Sequence, residues 1–551
     1  MRLFTTTAVL AGALFTQSFA EGDEVKEAGA HYVKLGFDKL RGDSYEDATP
    51  YARPLARLMK RGDGYEEIVI ENQQSFYSAD IELGTPGQNV TVLVDTGSSD
   101  LWVMGNNNPY CQSSGGSKRA VVGKAQSAGG TIVESSVAYP TSVDSSQATM
   151  TCSVYGTYAT SSSSSFKSNN TVFEISYGDG SFALGTWGTE TITVGNIKVE
   201  NMSLAVANET NSTVGVLGIG LAGLESTSTG SSSTSKQYDN FPLALKNSGA
   251  IKQNAYSLFL DSLDAKSGSV LFGAVDHSKY NGTLYTVPLV NTYGYLGATK
   301  PIQFEVTLQG LGISANGTES TFTTTKIPAL LDSGTTLAYF PVSLTNAIAK
   351  KLGAVYSSRL GYYVASCSAL DNDSALVFDF GGFQISSPLE NYVIGSQSDI
   401  CVLGILPQSG NGIILGDEFL TSAYVVYDLD NLEVSMAQAN YNGGSEKIEV
   451  ISGSVPSAQR APGYSSSWST YSSISTGGNI FTITSNSSSP QTSGSGSTNS
   501  RSTSGSSGSS PSSTTTSTPK KNAAAAFAPS GITVKVVLLS TIMSFAVSFA
   551  L

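Results

Sequence analysis

The sequence predicts an all-β protein built from two related lobes, with few short helices. Short apolar segments alternate with turns of Gly, Asn and Ser from about residue 64 to residue 441, a pattern typical of strands. An apolar strand ending in Asp-Thr/Ser-Gly occurs twice, at 92–97 and 329–334, and a Gly-rich apolar turn follows each copy, at 215–220 and 412–417. We therefore expect two lobes related by a pseudo-twofold axis, one from each half of this region.

The two halves differ in length because the first carries an insert. The interval from Asp95 to Gly218 is about 40 residues longer than the interval from Asp332 to Gly416, and a Ser/Gly-rich stretch at 112–151 accounts for the difference. We place the N-terminal lobe at 62–290, with this insert, and the C-terminal lobe at 291–442. The clearest helix follows Pro341, where apolar residues recur every four positions before a glycine: Leu344, Ile348, Leu352 and Gly353.

Composition limits the classes of partner and the compartment. Only 13% of the 551 residues are charged and the net charge is -13, which argues against nucleic acid as a partner. The order of the four cysteines suggests one local disulfide in each lobe, formed in an oxidising compartment, although the other connectivities stay open. These cysteines are Cys111, Cys152, Cys367 and Cys401.

Both ends of the chain resemble targeting signals. Residues 1–20 have Arg2, an apolar stretch and a small-residue ending at Ala20, which predicts a signal peptide. Residues 523–551 end in an apolar run at 536–551 that follows small residues and a spacer, which predicts a GPI-attachment signal that is removed, with attachment at Asn522. A tail-anchored helix is the alternative, but the run is short for a spanning helix.

Two further segments flank the predicted lobes. Residues 21–61 form the most basic stretch of the chain and end in the dibasic pair Lys60-Arg61, which predicts a propeptide cut after Arg61 that could cover an acidic cleft. A surface charge run is the alternative. Residues 443–522 consist mainly of Ser, Thr and Gly with scattered Pro, and we expect an O-glycosylated stalk without a core.

The doubled motif indicates the chemistry. A single Asp95 after a buried strand could simply form an Asx-turn, but Asp332 repeats the arrangement in the second half. Two lobes can bring these carboxylates face to face, where they share one proton and act as base and acid on a water that attacks a peptide carbonyl. Gly97 and Gly334 allow the backbone to approach the pair closely.

These residues resemble the pepsin-like aspartic proteases. The resemblance covers about Tyr77 to Ala439, rests on Asp95-Thr96-Gly97-Ser98 and Asp332-Ser333-Gly334-Thr335, and implies a bilobal pepsin-like fold with catalytic Asp95 and Asp332 and without a cofactor or metal. In this family a hairpin flap with a Tyr closes over the substrate, and the stretch 175–181 matches it. The resemblance implies a substrate-binding set of Tyr177, Gly178, Asp179, Ser181, Gly97, Gly334, Thr335 and Trp102, the Trp being the one that hydrogen-bonds the flap Tyr.

The arrangement of signal, propeptide, insert, stalk and GPI signal is similar to that of the yapsins, fungal surface proteases that cut beside basic residues. This implies an acid-acting endopeptidase of proprotein processing, shedding and cell-wall maintenance. Its substrates would carry Lys or Arg at the cut, and it would be held by a GPI lipid at the plasma membrane or transferred to wall glucan. Asp179 would select the basic residue of the substrate, unless it only caps the hairpin turn. At a separate position, the family often has Asn where this chain has Asp100.

Processing and glycosylation complete the expectations. Cleavage after Arg119 inside the insert would give two chains joined by a disulfide, whereas an uncut loop would leave a monomer of one chain. Sequons predict glycosylation at Asn89, Asn169, Asn201, Asn208, Asn211, Asn281, Asn316 and Asn372.

Two other classes of protein are weighed against the protease. A Ser-His-Asp hydrolase needs a catalytic histidine, yet His31 lies in the predicted propeptide and His277 stands alone in a turn-like stretch, while no HExxH motif occurs. A non-catalytic, wall-bound binding or structural protein on the same fold would have lost a central Asp, Gly or flap Tyr. None of these is lost.

Overall fold

A computed structural model describes residues 32–38 and 67–482, with gaps at 69, 73–76, 112–147, 149, 178–180, 196, 229–236, 264, 266, 359, 371–372, 398, 411 and 470–473. Strands dominate this part of the chain. In the first half they are β1 (Val33–Asp38), β2 (Glu67–Ile68), β3 (Ile70–Asn72), β4 (Tyr77–Leu83), β5 (Gln88–Asp95), β6 (Leu101–Met104), β7 (Lys167–Ser176), β8 (Phe182–Val194), β9 (Ile197–Thr210), β10 (Gly215–Gly218), β11 (Ala255–Phe259), β12 (Ser267–Phe272), β13 (Ala274–Asp276) and β14 (Tyr280–Pro288).

The second half continues the all-β pattern. Its strands are β15 (Glu305–Leu308), β16 (Gly310–Ala315), β17 (Thr318–Thr323), β18 (Ile327–Leu331), β19 (Ala338–Pro341), β20 (Val355–Ser357), β21 (Tyr362–Ser366), β22 (Ala375–Asp379), β23 (Gln384–Pro388), β24 (Val393–Gln397), β25 (Ile400–Leu403), β26 (Ile405–Gln408), β27 (Ile413–Leu415), β28 (Ala423–Asp428), β29 (Glu433–Ala439), β30 (Ile448–Val450) and β31 (Gln459–Arg460). Three helices occur among the described residues: α1 (Phe241–Asn247), α2 (Val342–Lys351) and α3 (Asp417–Leu420). None of them is long and apolar enough to cross a membrane.

The internal repeat predicted from the sequence is confirmed by strand pairing. In the N-terminal lobe β10 lies between β5, to which it is parallel, and β6, to which it is antiparallel. In the C-terminal lobe β27 lies between β18 and β19 in the same two orientations. The β-branched and leucine side chains of β5 and β18 are buried on both faces of their sheets, which explains why these strands read as continuous apolar runs.

The two lobes also share one sheet. Its strand order is β2-β1-β12-β11-β28-β29-β14-β31, so both halves of the chain contribute strands to it. Strand β1, the described part of the predicted propeptide, pairs with β12 over six positions, and Lys34 forms an ion pair of 2.5 Å with Glu446. The remaining propeptide residues, 21–31 and 39–61, lie outside the described residues, so covering of the cleft stays a prediction.

The predicted helix after Pro341 is confirmed as α2. Leu344 and Ile348 are 2% and 1% exposed and pack into the core of the C-terminal lobe. Gly353 has a φ of 64°, a left-handed conformation that suits glycine just after a helix end.

The predicted start of the stalk at 443 is wrong. Residues 443–482, which we call the C-terminal strap, lie against the body: β30 pairs with β13, β31 pairs with β14, and the backbone of Gly477 bonds to Phe322. Ile451 and Ile480 are buried, so this segment contributes to the core despite its Ser- and Gly-rich composition. Sparse apolar residues in a polar segment gave no periodic signal.

Candidate active site

Each lobe presents one aspartate at the end of its central strand. Asp95 is the last residue of β5, and its carbonyl oxygen accepts a hydrogen bond of 2.8 Å from the backbone of Ile219. Asp332 follows β18, and its backbone N–H donates to Leu415 at 3.1 Å. Both aspartates have no exposed surface. Because these two backbone hydrogen bonds join each aspartate to the Gly-rich turn of its lobe, the turn fixes the base of the catalytic loop.

The two loops grip each other through reciprocal hydrogen bonds. The hydroxyl of Thr96 donates to the carbonyl of Leu331 at 3.0 Å and accepts from the backbone N–H of Ser333 at 2.9 Å. The hydroxyl of Ser333 donates to the carbonyl of Val94 at 3.0 Å and accepts from the N–H of Thr96 at 3.2 Å. Because all these atoms are buried, the grip fixes one loop against the other.

Each carboxylate is held by its own loop in the same manner. Gly97 and Gly334 donate their N–H groups to Oδ1 of Asp95 and Asp332 at 2.7 and 2.9 Å. The hydroxyl of Ser98 donates to Oδ2 of Asp95, and the hydroxyl of Thr335 donates to Oδ2 of Asp332 at 2.7 Å. This geometry gives Thr335 a role in supporting the carboxylate.

The loop glycines are required by close approach across the lobe junction. A Cβ atom on Gly97 would lie 2.4 Å from Oδ1 of Asp332, and a Cβ on Gly334 would lie 2.2 Å from Oδ1 of Asp95. Any larger residue would push the carboxylates apart. The structure therefore brings the two predicted aspartates and their two glycines into one site.

The two carboxyl groups hydrogen-bond each other and titrate as a unit. Burial, followed by the charge of Asp95, raises the pKa of Asp332 well above its usual range. Burial also raises the pKa of Asp95, but hydrogen bonds from Ser98 and Gly97 oppose this. The pair therefore shares one proton, so that one carboxyl can act as a base while the other acts as an acid.

The predicted flap tyrosine is anchored by a tryptophan of the same lobe. The indole N–H of Trp102 donates to the hydroxyl of Tyr177 at 2.6 Å, and both side chains are buried. The backbone N–H of Tyr177 donates to the carbonyl of Ser181 at 2.9 Å, which closes the hairpin around a three-residue connection. Gly178 and Asp179 belong to that connection and lie outside the described residues.

The remaining predicted site residues fall into three groups. Cys111 pairs with Cys152 and Cys367 with Cys401, with Cα–Cα distances of 5.5 and 5.0 Å, so the predicted disulfides are confirmed. Seven of the sequon asparagines are exposed: Asn89, Asn169, Asn201, Asn208, Asn211, Asn281 and Asn316. Four predicted residues lie outside the described part of the chain: Arg61, Arg119, Asn372 and Asn522. Within the described ranges no group of His, Cys, Asp and Glu side chains is arranged to hold a metal ion.

Sequence reasoning missed two buried acidic residues and a half-buried tyrosine near the N-terminal catalytic loop. Asp100, read from the sequence as a minor departure from Asn, is 1% exposed and accepts a hydrogen bond of 2.5 Å from the hydroxyl of Tyr238. Glu225 is also 1% exposed. Glu225 follows an apolar turn, a signal similar to the one by which Asp95 was found. Asp100 follows two serines and Tyr238 follows a polar stretch, and neither context carries a signal.

Comparison with known proteins identifies the family to which this chain belongs. The model of the eukaryotic aspartyl proteases matches residues 76–439, and the chain belongs to this family. It is an aspartic endopeptidase, which excludes the non-catalytic alternative.

Three relatives from Saccharomyces cerevisiae show which branch of the aspartyl protease family this chain resembles. Aspartic proteinase 3 is 54% identical, over 88% of this chain and 92% of its own length. Aspartic proteinase MKC7 is 52% identical, over 83% of this chain and 81% of its own. Aspartic proteinase yapsin-3 is 47% identical, over 87% and 85%. The resemblance to the yapsins is therefore confirmed.

A solved structure supports the fold independently. The aspartic proteinase from Irpex lacteus matches with a TM-score of 0.50 over 68% of this chain and 97% of its own length, at 21% identity. The pepsin-like fold is thus shared at low sequence identity.

Proposed function

We propose that this chain is a secreted, surface-anchored endopeptidase that cuts proteins beside Lys or Arg at acidic pH. The observation that carries the acid-acting mechanism is the buried pair Asp95 and Asp332, joined by a side-chain hydrogen bond. The pair functions with one proton, and because loss of that proton leaves two charges facing each other, activity declines as pH rises.

The chemistry follows from the positions of the two carboxyl groups. Ionised Asp95 takes a proton from a water held between the two groups, and the resulting nucleophile attacks the scissile carbonyl carbon. Asp332 gives its proton to the carbonyl oxygen as the tetrahedral intermediate forms. The proton on Asp95 then passes to the leaving nitrogen as the C–N bond breaks. One hydroxyl of the intermediate returns its proton to Asp332 as the product carboxyl forms, so the pair regains its single proton.

Basic specificity is proposed for the flap residue Asp179. It stands in sequence at the middle of the three-residue connection between Tyr177 and Ser181, whose backbones are hydrogen-bonded. A carboxylate next to the anchored tyrosine can pair with a substrate ammonium or guanidinium. Such a charge-assisted bond is worth roughly 1.5 to 3 kcal/mol, about ten- to a hundredfold in selectivity.

The test compares Asp179→Thr with Glu174→Gln, which removes a carboxylate from an exposed position of the same hairpin, on strand β7. Matched peptides with Lys, Arg or Leu before the cut are assayed at acidic pH. Only Asp179→Thr should lose kcat/KM for the basic peptides, by about ten- to a hundredfold, while the Leu peptide keeps its rate. An equal loss for basic and apolar peptides would show that Asp179 only shapes the hairpin.

Anchoring and processing complete the proposal. The signal at 1–20, the cut after Arg61, the glycosylated stalk and the GPI site at Asn522 would place the enzyme at the plasma membrane or on wall glucan, for proprotein processing, shedding and wall maintenance. The disulfide between Cys111 and Cys152 encloses Arg119, so cleavage there leaves two chains joined by that bond. A single band on gels run with and without reductant would contradict internal cleavage, and failure of phosphatidylinositol-specific phospholipase C to release the enzyme from membranes would contradict the GPI anchor.

A further inference from the structure

A second pair of buried carboxyl groups lies behind the N-terminal catalytic loop. Oδ1 of Asp100 accepts from the hydroxyl of Tyr238 at 2.5 Å, and Oδ2 accepts from the backbone of Ser226 at 2.8 Å. Oε2 of Glu225 accepts from the backbone of Tyr238 at 3.0 Å. Oε1 of Glu225 is buried and has no hydrogen-bond partner among the described residues.

This network is connected to the catalytic loop. Asp100 comes two residues after Ser98, whose hydroxyl donates to Asp95. The neighbouring Ser99 donates its hydroxyl to the carbonyl of Leu221 at 2.6 Å. The segment that leads to Glu225 is therefore bonded directly to the loop that holds the catalytic carboxylate.

The same network reaches the apolar cluster that contains the flap tyrosine. The ring of Tyr238 meets Trp187 edge to face with centroids 5.2 Å apart, and Trp187 meets Phe173 in the same way at 5.2 Å. Phe173 and Trp187 pack in one buried cluster with Trp102 and Tyr177. Movement of Tyr238 would therefore disturb both the catalytic loop and the support of the flap.

The charges around Glu225 favour its neutral form. Burial first, and then the charges of Asp100 and Asp239, raise the pKa of Glu225 to about 8 against the hydrogen bond from Tyr238. Burial raises the pKa of Asp100 as well. Among the described residues no Lys, Arg or His forms an ion pair with either carboxyl.

We propose that Asp100, Tyr238 and Glu225 are positioning residues that keep the catalytic loop and the flap cluster in register only while Glu225 holds its proton. The network then sets an upper pH limit on the survival of the active enzyme, separately from the titration of the catalytic pair. An ionised Glu225 would place a negative charge beside Asp100 on an oxygen that has no hydrogen-bond donor among the described residues, and the side chains of Glu225 and Tyr238 would move apart to admit water.

The sign of the pH dependence follows from the folded and unfolded values. The Glu225 carboxyl has an ordinary value of 4.5 and a raised pKa of about 8 in the folded chain. Its stabilising contribution is complete below about pH 4.5 and is lost as the pH rises through 8. Inactivation that originates in this network should therefore accelerate between these two values.

The experiment separates this effect from the catalytic pair by incubating the processed, full enzyme at pH 7 and assaying it at pH 4. The protonation of Asp95 and Asp332 is restored on return to pH 4, so their titration causes no lasting loss. Displacement of Tyr238 disturbs the catalytic loop, and the activity then decays during the incubation at pH 7. Glu225→Gln keeps the size of the side chain without the charge and should lengthen the half-life at pH 7 by about threefold to tenfold. Glu200→Gln, at an exposed position, serves as the control and should behave as the wild type.

Two further variants keep the test decisive. Asp100→Asn retains acceptance from Tyr238 but loses acceptance from Ser226 at every pH. The ratio of its half-life at pH 7 to that at pH 4 should therefore exceed the wild-type ratio, which allows a conclusion if Glu225→Gln does not fold. Tyr238→Phe keeps the ring on Trp187 but removes the bond to Asp100, and it should shorten the half-life at pH 7 more than at pH 4. Half-lives of both carboxyl variants equal to the wild type, or changed by the same factor at pH 4 and pH 7, would overturn the proposal.

Discussion

The two catalytic loops have nearly the same backbone but different buried acids behind them. Five positions after the catalytic aspartate, the N-terminal lobe has Asp100 and the C-terminal lobe has Leu337. Two positions after the second glycine of the turn, the N-terminal lobe has Gly220 and the C-terminal lobe has Glu418. Each lobe thus carries extra buried carboxyl groups at positions that the pseudo-twofold axis does not relate.

The C-terminal acid has its own support. Oε2 of Glu418 accepts from the backbone of Ala338 at 3.0 Å, while Oε1 is buried without a hydrogen-bond partner among the described residues. A Cβ on Gly404 would lie 1.6 Å from Oε1, so the glycine makes room for this side chain. The comparison teaches that duplication preserved the hydrogen bonds that place the catalytic pair, whereas the surroundings of each loop diverged.

The largest effect is expected where the two lobes act as one. Asp95→Asn and Asp332→Asn should each lower kcat/KM by at least about a thousandfold, and the double variant should be no worse, because neither carboxyl alone can activate the water. Cleavage of a fluorogenic peptide at acidic pH measures this, with EDTA present as a control that should change nothing. Substantial turnover by Asp332→Asn would contradict the requirement for both carboxyl groups.

The reciprocal hydrogen bonds between the two catalytic loops should contribute equally to stability from either lobe. Thr96→Ala and Ser333→Ala each remove two buried hydrogen bonds and leave a carbonyl and an N–H of the other lobe unpaired, at a cost of about 2–4 kcal/mol in stability. Calorimetric Tm values should fall by similar amounts, and the double variant should lose less than the sum. A large loss in one variant and none in the other would show that one lobe alone determines the grip.

The predicted flap belongs to the N-terminal lobe, so loss of its hydrogen bond should affect activity from that lobe alone. Tyr177→Phe removes the hydrogen bond from Trp102 and should lower kcat/KM about tenfold, the value of one buried hydrogen bond. Tyr339 occupies the position of Trp102 in the second lobe, and Tyr339→Phe is the matched change there. A loss of similar size in Tyr339→Phe would contradict a role confined to the N-terminal lobe.

The smallest expected effect is a pH-dependent gain in stability from the C-terminal lobe. Burial raises the pKa of Glu418 well above its usual range, so its contribution is complete below about pH 4.5 and is lost as pH rises. Glu418→Gln should raise Tm at pH 7 by about 2–4 °C, the shift that roughly 1 kcal/mol gives, and change it little at pH 4. Glu319→Gln, exposed on β17, is the control. An equal change at both pH values would rule out ionisation as the cause.

Much of the site could be read from the sequence because its chemistry is local. Asp95 and Asp332 each follow an apolar strand and precede a glycine, and the duplication makes their pairing predictable. Asp100 and Glu225 could not be paired in advance, because their partner Tyr238 is brought near by folding and not by sequence spacing. The C-terminal strap escaped prediction for a related reason: Ile451 and Ile480 are single apolar residues whose burial depends on surfaces formed far away in the chain.

The strap determines how the body would experience mechanical load. Ile480 fits over Gly310 and Gly312 on the outer sheet of the C-terminal lobe, where Cβ atoms on these glycines would lie 2.4 and 2.9 Å from its side chain. A pull on the chain beyond Thr482 would reach Ile480 first and then the backbone bond between Gly477 and Phe322. The strap would peel before force reached β28 and β29, so a tethered enzyme could yield at this segment while its catalytic loops kept their geometry.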